Sequence, residues 1–271
     1  MTLLKLPEPY DFELSTERYR AFGPDHANLW HEGGLHRVVD GREVRIEAAA
    51  RGVEVEPLDA ETEPAVRKLL GADFDLTSFY EFARGDPVLA PIAERLPGLR
   101  PPLAPDPFES LVTSITAQQV SLRAAFAIRN RLIDRYGRRG VRAVAFPTRA
   151  RMAQADPEEL VAVGFSRRKA EYVVGLARSD LDLEGLAAYG DDEVKARLMA
   201  ERGLGEWTAD WFLARHLARP RAWPAGDLGL RKAVAAFYGD GDVRAVGDRL
   251  APFQNLAAHY LLTALRVLGA S

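Results

Sequence analysis

Two stretches near the start of the chain, Leu35–Asp40 and Glu43–Ala48, alternate apolar and polar positions and flank Asp40-Gly41. Alternation at period two gives a strand one apolar face, and Asp-Gly suits a two-residue hairpin because both residues tolerate positive φ. Gly52 then leads into a further alternating run, Val53-Glu54-Val55. Residues 1–72 are therefore predicted to be β-rich, a small antiparallel sheet domain. From Asp73 onward apolar positions recur at helical spacing, with proline and glycine punctuation in LPGLRPPLAPDP at 96–107. The predicted class is α+β and mostly α, the sheet being followed by a helical region over 73–271.

Caps divide that region. Asp156-Pro157-Glu158-Glu159 is an N-cap, an N1 proline and an acidic first turn, and Ser166 opens a helix after Gly164. In the run 108–137 the stripe Phe108, Leu111, Ile115 breaks at Gln118-Gln119 before Leu122, Phe126 and Ile133 resume it. One helix with a polar spot fits this pattern. So does a short functional loop, with Ser121 capping a second helix.

Further along, Asp191–Glu201 and Glu206–Leu217 are two predicted helices separated only by Arg202-Gly203-Leu204-Gly205. Four residues allow only a tight hairpin. Its glycines permit positive φ and close approach of another backbone, and the free amides opening the second helix favour an anion such as phosphate. An ordinary helical corner has the same glycines. No Gly-Lys-Ser/Thr follows, which excludes a nucleotide P-loop. Asp227 in WPAGDLGLRKAVAAFYG (223–239) sits as the N-cap of a helix ending at Gly239, a position that is usually structural.

Composition narrows the chemistry. The 271-residue chain has no cysteine, which removes disulfides, thiolate metal sites and thiol nucleophiles, and its five histidines lack metal-ligand spacing. No apolar stretch is long enough to span a bilayer and no cleavable leader is evident, so a cytoplasmic protein without membrane contact is expected. The net charge of −3 does not advertise nucleic-acid binding, yet nine arginines lie between Arg123 and Arg151 against the single acid Asp134. That run is either a solvated helix face or a local basic surface.

Helix, Gly-x-Gly hairpin, helix and then an aspartate opening the next helix resemble the helix-hairpin-helix (HhH-GPD) DNA glycosylase superfamily, with Pro224, Gly226 and Asp227 as its Gly/Pro-rich loop. ITAQQVSLRAA (115–125), VGFSRRKAEYVVGLA (163–177) and RGLGEWTADWF (202–212) are similar, in order and spacing, to motifs of the DNA-3-methyladenine glycosylase II family. The resemblance implies two helical lobes with the active site in their cleft. It implies a monofunctional glycosylase that flips alkylated purines such as 3-methyladenine out of double-stranded DNA and excises them hydrolytically in base excision repair. Asp227 would be catalytic, and Trp207, Trp211 and Leu250 would shape the base pocket. Gln118, Gln119, Arg202, Gly203, Leu204 and Gly205 would contact DNA, with Gln119 filling the gap left by the flipped base and the arginine run facing the duplex. No metal or organic cofactor is implied, although a monovalent cation bridging hairpin and phosphate is compatible, and a monomer is expected. Trp207 occupies the position where related lyases carry a lysine, so no lyase activity is expected. Glycosylases for uracil, hypoxanthine or oxidised purines are alternatives, as is a non-catalytic DNA-structure-binding module, against which Asp227 argues.

The segment RLAPFQNLAAHYLL (249–262) departs from the family pattern, having Leu250 where a tryptophan is expected and Gln254 where an arginine is expected. A cationic purine is attracted to aromatic faces by about 0.5–2 kcal/mol. With Trp207 and Trp211 retained, 3-methyladenine should still be excised and neutral bases should be poor substrates.

Overall fold

The computed structural model describes residues 1–269. Its antiparallel sheet comprises β1 (Thr2–Lys5), β2 (Leu29–His31), β3 (Gly34–Val39), β4 (Arg42–Ala49) and β5 (Gly52–Glu56), in the order β1-β5-β4-β3-β2. The three central strands are those the alternation predicts. Asp40 and Gly41 both adopt positive φ, 45° and 80°, so Val39 pairs directly with Arg42. The edges β1 and β2 are too short to show a pattern, and the helices Phe12–Thr16 and Arg18–Ala21 occupy part of the segment expected to be β-rich. Ile46 pairs with Leu35 on one side and Val55 on the other. The helix Glu63–Leu69 lays Val66 and Leu69 over this apolar face.

The helices beyond pack into two further apolar clusters. One is built from residues 108–222, including Leu111, Leu132, Leu198 and Phe212. The other joins helices Leu76–Ala83 and Leu89–Arg95 to Leu228–Tyr238 and Gln254–Val267 through Phe79, Leu89, Leu230 and Tyr260. The stretch 108–137 resolves as two helices, Pro107–Ala117 and Leu122–Tyr136, with Ser121 Oγ accepting from the Ala124 amide at 3.2 Å.

A buried ionic network ties sheet to helices. Arg37 alternates onto the same side of β3 as Leu35 and Val39, and its guanidinium meets Glu109 at 2.5 Å. Arg129 contacts the other Glu109 oxygen at 2.6 Å and pairs with Asp25. Burial alone would raise both carboxyls, but the flanking guanidiniums outweigh it and hold Glu109 and Asp25 below the usual carboxylate range. This network accounts for part of the arginine run. Arg131 donates to the Val163 carbonyl at 2.6 Å, Arg149 to that of Leu181 at 2.8 Å, and Arg135 pairs with Glu159. Four of the nine arginines of the run, Arg129, Arg131, Arg135 and Arg149, thus tie elements together.

Candidate active site

The hairpin forms between helices Asp191–Ala200 and Glu206–Arg215. Gly203 has φ +92°, and a Cβ there would lie 2.2 Å from the Tyr172 ring, so geometry and space both demand glycine. Gly205 is different: its backbone is extended and a Cβ would meet nothing within 4 Å. The first helical bonds come from Thr208 and Ala209, both onto the Gly205 carbonyl. The amides of Gly205, Glu206 and Trp207 therefore face open space at the positive end of a ten-residue helix. Leu204 does not contact that space. Its side chain is buried in the larger helical cluster, because a hairpin needs an apolar anchor to hold its backbone at the surface. Arg202 is exposed, 3.3 Å from Glu171.

Behind the hairpin lies a cleft of about 940 Å³ with Asp227 on its wall. The chain leaves one helical cluster at Ala222 and enters the other at Leu230, which places Asp227 between them. Its carboxylate is held from both sides. Oδ1 accepts from the Leu230 amide at 2.9 Å, the N-cap bond, while Oδ2 accepts from the indole N–H of Trp207 at 2.9 Å and of Trp211 at 3.1 Å. Three donors fix the carboxylate's orientation and leave Oδ1 with a lone pair toward the cleft.

This geometry changes the role expected of the tryptophans. Trp211 is 3% exposed, the Arg215 guanidinium lies 3.5 Å from its ring centroid, and His259 packs against its edge. A base cannot stack on that face while Arg215 remains. Trp207 is the more accessible of the two. Leu250 is not a pocket residue: it is 1% exposed within the second helical cluster, because it turns inward at the end of helix Val243–Arg249. Gln254 is also buried outside the cleft. Their departures from the family pattern therefore do not reshape this cleft.

The loop 118–121 faces the hairpin across the cleft mouth. Gln119 is exposed with φ +55°, beside the exposed apolar side chains of Val120 and Leu122. Gln118 is held inward instead, its amide donating to the Gly203 carbonyl at 3.0 Å and to Thr208 Oγ1 at 3.3 Å. Through these two bonds it positions the loop. Lys169 donates to the carbonyls of Thr116 and Gln118 at 2.9 and 2.5 Å, closing the end of the preceding helix, and burial lowers its pKa. Among the described residues no group of three or more His, Asp or Glu gathers as a metal site, and no helix is long and apolar enough to cross a membrane.

Among the cleft residues that escaped the sequence reading are Arg18, Arg215, His259 and Arg266. Arg215 could have been found, since Trp207, Trp211 and Arg215 share a helix face at spacing four. Burial, then the nearby Arg266, lowers Arg18 to about 10; burial, then Arg18, lowers Arg215 well below its ordinary value. Burial and the same cations also depress His259, keeping it neutral. Asp210, by contrast, pairs with Lys195 at 2.5 Å and does not line the cleft.

An aspartate that caps one helix and accepts from two indoles thus lies near a glycine hairpin with open amides. Residues 112–250 match the family described as HhH-GPD superfamily base excision DNA repair protein, and the chain belongs to this family. It is 34% identical over 170 residues to a DNA-3-methyladenine glycosylase of Bacillus subtilis, covering 60% of this chain and 56% of that protein. Indeed the chain spans about half the length of the first curated relatives it matches. The solved 3-methyladenine DNA glycosylase of Archaeoglobus fulgidus superposes with a TM-score of 0.88 at 28% identity, over 99% of both chains. The Schizosaccharomyces pombe 3-methyladenine DNA glycosylase in complex with abasic DNA gives 0.61 at 25% identity, over 71% of this chain and 98% of that one.

Proposed function

We propose that the protein is a DNA N-glycosylase that flips alkylated purines, with 3-methyladenine as the reference substrate, out of double-stranded DNA and hydrolyses the glycosidic bond in base excision repair. The observation that carries this reading is the Asp227 carboxylate, fixed by three donors on the wall of a cleft large enough for a nucleotide. A fixed anion beside the sugar stabilises the oxocarbenium-like transition state without reorganising, and its free lone pair can orient and deprotonate the attacking water. The open amides from Gly205 to Trp207 suit a backbone phosphate, which positions the duplex without reading its sequence. Gln119 suits the gap left by the flipped nucleotide. Binding of abasic DNA by the S. pombe relative supports the choice of partner.

Hydrolysis without strand cleavage is part of the same reading. Trp207 supplies an indole, not an amine, at the hairpin position closest to Asp227, and the amine of Lys169 is held by two carbonyls. Lys232 lines only the exposed mouth. Borohydride added during turnover should trap no enzyme–DNA adduct; efficient trapping would overturn this part.

Asp227→Asn tests the assignment. It keeps a cap acceptor but removes the charge, so base release should vanish while lesion-DNA binding stays near wild type. Excision at the wild-type rate would falsify it.

A further inference from the structure

A smaller cavity of about 80 Å³ adjoins the cleft between the sheet domain and the helices, and the two share Arg18, Arg129, Trp211 and Arg215 in their walls. Its other charged residues, Asp25, Arg37 and Glu109, belong to the buried ionic network. That network uses up both of its acids. Every carboxylate oxygen of Asp25 and Glu109 accepts from Arg37, Arg129, Asn28 or the Ala27 amide. Arg18 and Arg215 are left over. Among the described residues neither makes an ion pair or a side-chain hydrogen bond, and Arg215 only lies against the Trp211 ring.

The remaining charges do not balance them. Arg266 is matched by Glu17 at 2.5 Å, and Asp227 acts across the cleft on both Arg18 and Arg215 but can offset only one. The wall therefore keeps one positive charge in excess. It also keeps unused donors: Arg37 is 6% exposed and its Nε–H has no partner, nor has that of Arg215. Thr113 Oγ1 accepts from Arg129 Nε at 3.1 Å and so still has its own proton to give. A buried donor without an acceptor is costly, and a buried charge without a counter-charge is costlier. The volume exceeds the ~10–15 Å³ that one water needs. Water would satisfy the N–H groups and leave the charge. A small anion does both.

We propose that this cavity binds a small monovalent anion, with chloride as the reference ligand, held among the guanidiniums of Arg18, Arg37 and Arg215. Arg37 stands on β3, Arg18 on the helix Arg18–Ala21 and Arg215 at the end of the helix Glu206–Arg215. The ion thus fastens the N-terminal domain to the helix whose indoles hold Asp227, and it keeps Arg215 seated on Trp211. The site belongs to the folded protein without DNA, so its test is independent of the glycosylase reading.

Thermal unfolding of the DNA-free protein is compared in sodium chloride and in sodium isethionate, a bulkier anion, at one ionic strength. With chloride about tenfold above its Kd, the wild-type midpoint should lie about 3 °C higher in chloride. The difference should vanish in Arg18→Met and in Arg215→Met. Because each variant is compared with itself in the two salts, a general loss of stability does not imitate this result, and if one variant fails to fold the other carries the comparison. Crystals grown in bromide should show an anomalous peak within hydrogen-bond reach of Arg18, Arg37 or Arg215. A wild-type midpoint that is the same in both salts overturns the proposal, as does a difference that survives in a folded variant. Bromide peaks confined to the outer surface, with water alone in the cavity, overturn it equally.

Discussion

Replacing Trp207 by Phe separates two roles for this side chain. As a wall for the flipped base, phenylalanine would serve nearly as well, since it keeps an aromatic face. As a donor it fails, because the 2.9 Å bond from the indole to Asp227 Oδ2 disappears. A hydrogen bond to a charged group contributes about 1.5–3 kcal/mol, and because Asp227 is half-exposed the lower end applies. Oδ2 keeps Trp211 as a donor at 3.1 Å, so the carboxylate stays in place but gains freedom to turn about its remaining contacts. About 1.5 kcal/mol expressed at the transition state corresponds to roughly tenfold in rate. Single-turnover excision of an alkylated purine should therefore slow about tenfold in Trp207→Phe, with affinity for abasic DNA unchanged, since no phosphate contact is touched. A rate within about twofold of wild type would show that the indole N–H is not part of the catalytic arrangement.

The two hairpin glycines should behave differently: Gly203→Val should lower the unfolding midpoint, whereas Gly205→Val should fold normally and bind damaged and undamaged duplexes alike more weakly in a filter or anisotropy assay. Lys169→Met should slow excision from well-paired duplexes more than from mispaired ones, as should Gln119→Ala, because both disturb the loop that replaces the extruded base. If pairing made no difference to either variant, the loop would have no part in opening the duplex. Stability should also fall on the acid side through His216, which burial and then Lys68 bring down to about 4. The charged form is disfavoured only in the folded state, so stability is full above the unfolded value near 6.5 and is lost as pH drops toward 4, by about 3 kcal/mol. Urea unfolding at pH 7 and pH 4.5 should show that loss in wild type and a smaller one in His216→Gln.

What the sequence made legible was local. The Asp40-Gly41 hairpin, the Ser121 and Asp227 caps and the Gly203 turn each depend on a few neighbouring residues, and each is found where the pattern places it. What it hid was tertiary. The two indole bonds to Asp227 span sixteen and twenty residues, and nothing in either segment marks a donor seeking an acceptor. Arg18 comes from the N-terminal region and His259 from the last helix, so the charge of the cleft exists only after folding. The arginine run was ambiguous because composition counts charges without showing which have internal partners, as Arg129 and Arg149 do.

The Gln118 amide joins the loop carrying Gln119 to the hairpin backbone at Gly203, and the Lys169 ammonium pins the start of that loop to its own helix. Under the proposed function loop and hairpin are the part that presses between bases and the part that holds a phosphate, and the link makes them a single jig with a fixed offset. Each phosphate the hairpin settles on then fixes which base step is tested, with no separate motion to aim the probe. Inspection of the duplex becomes a matter of register: the enzyme need only advance by one phosphate to try the next nucleotide under the same mechanical load, and a weakened pair is the one that gives way.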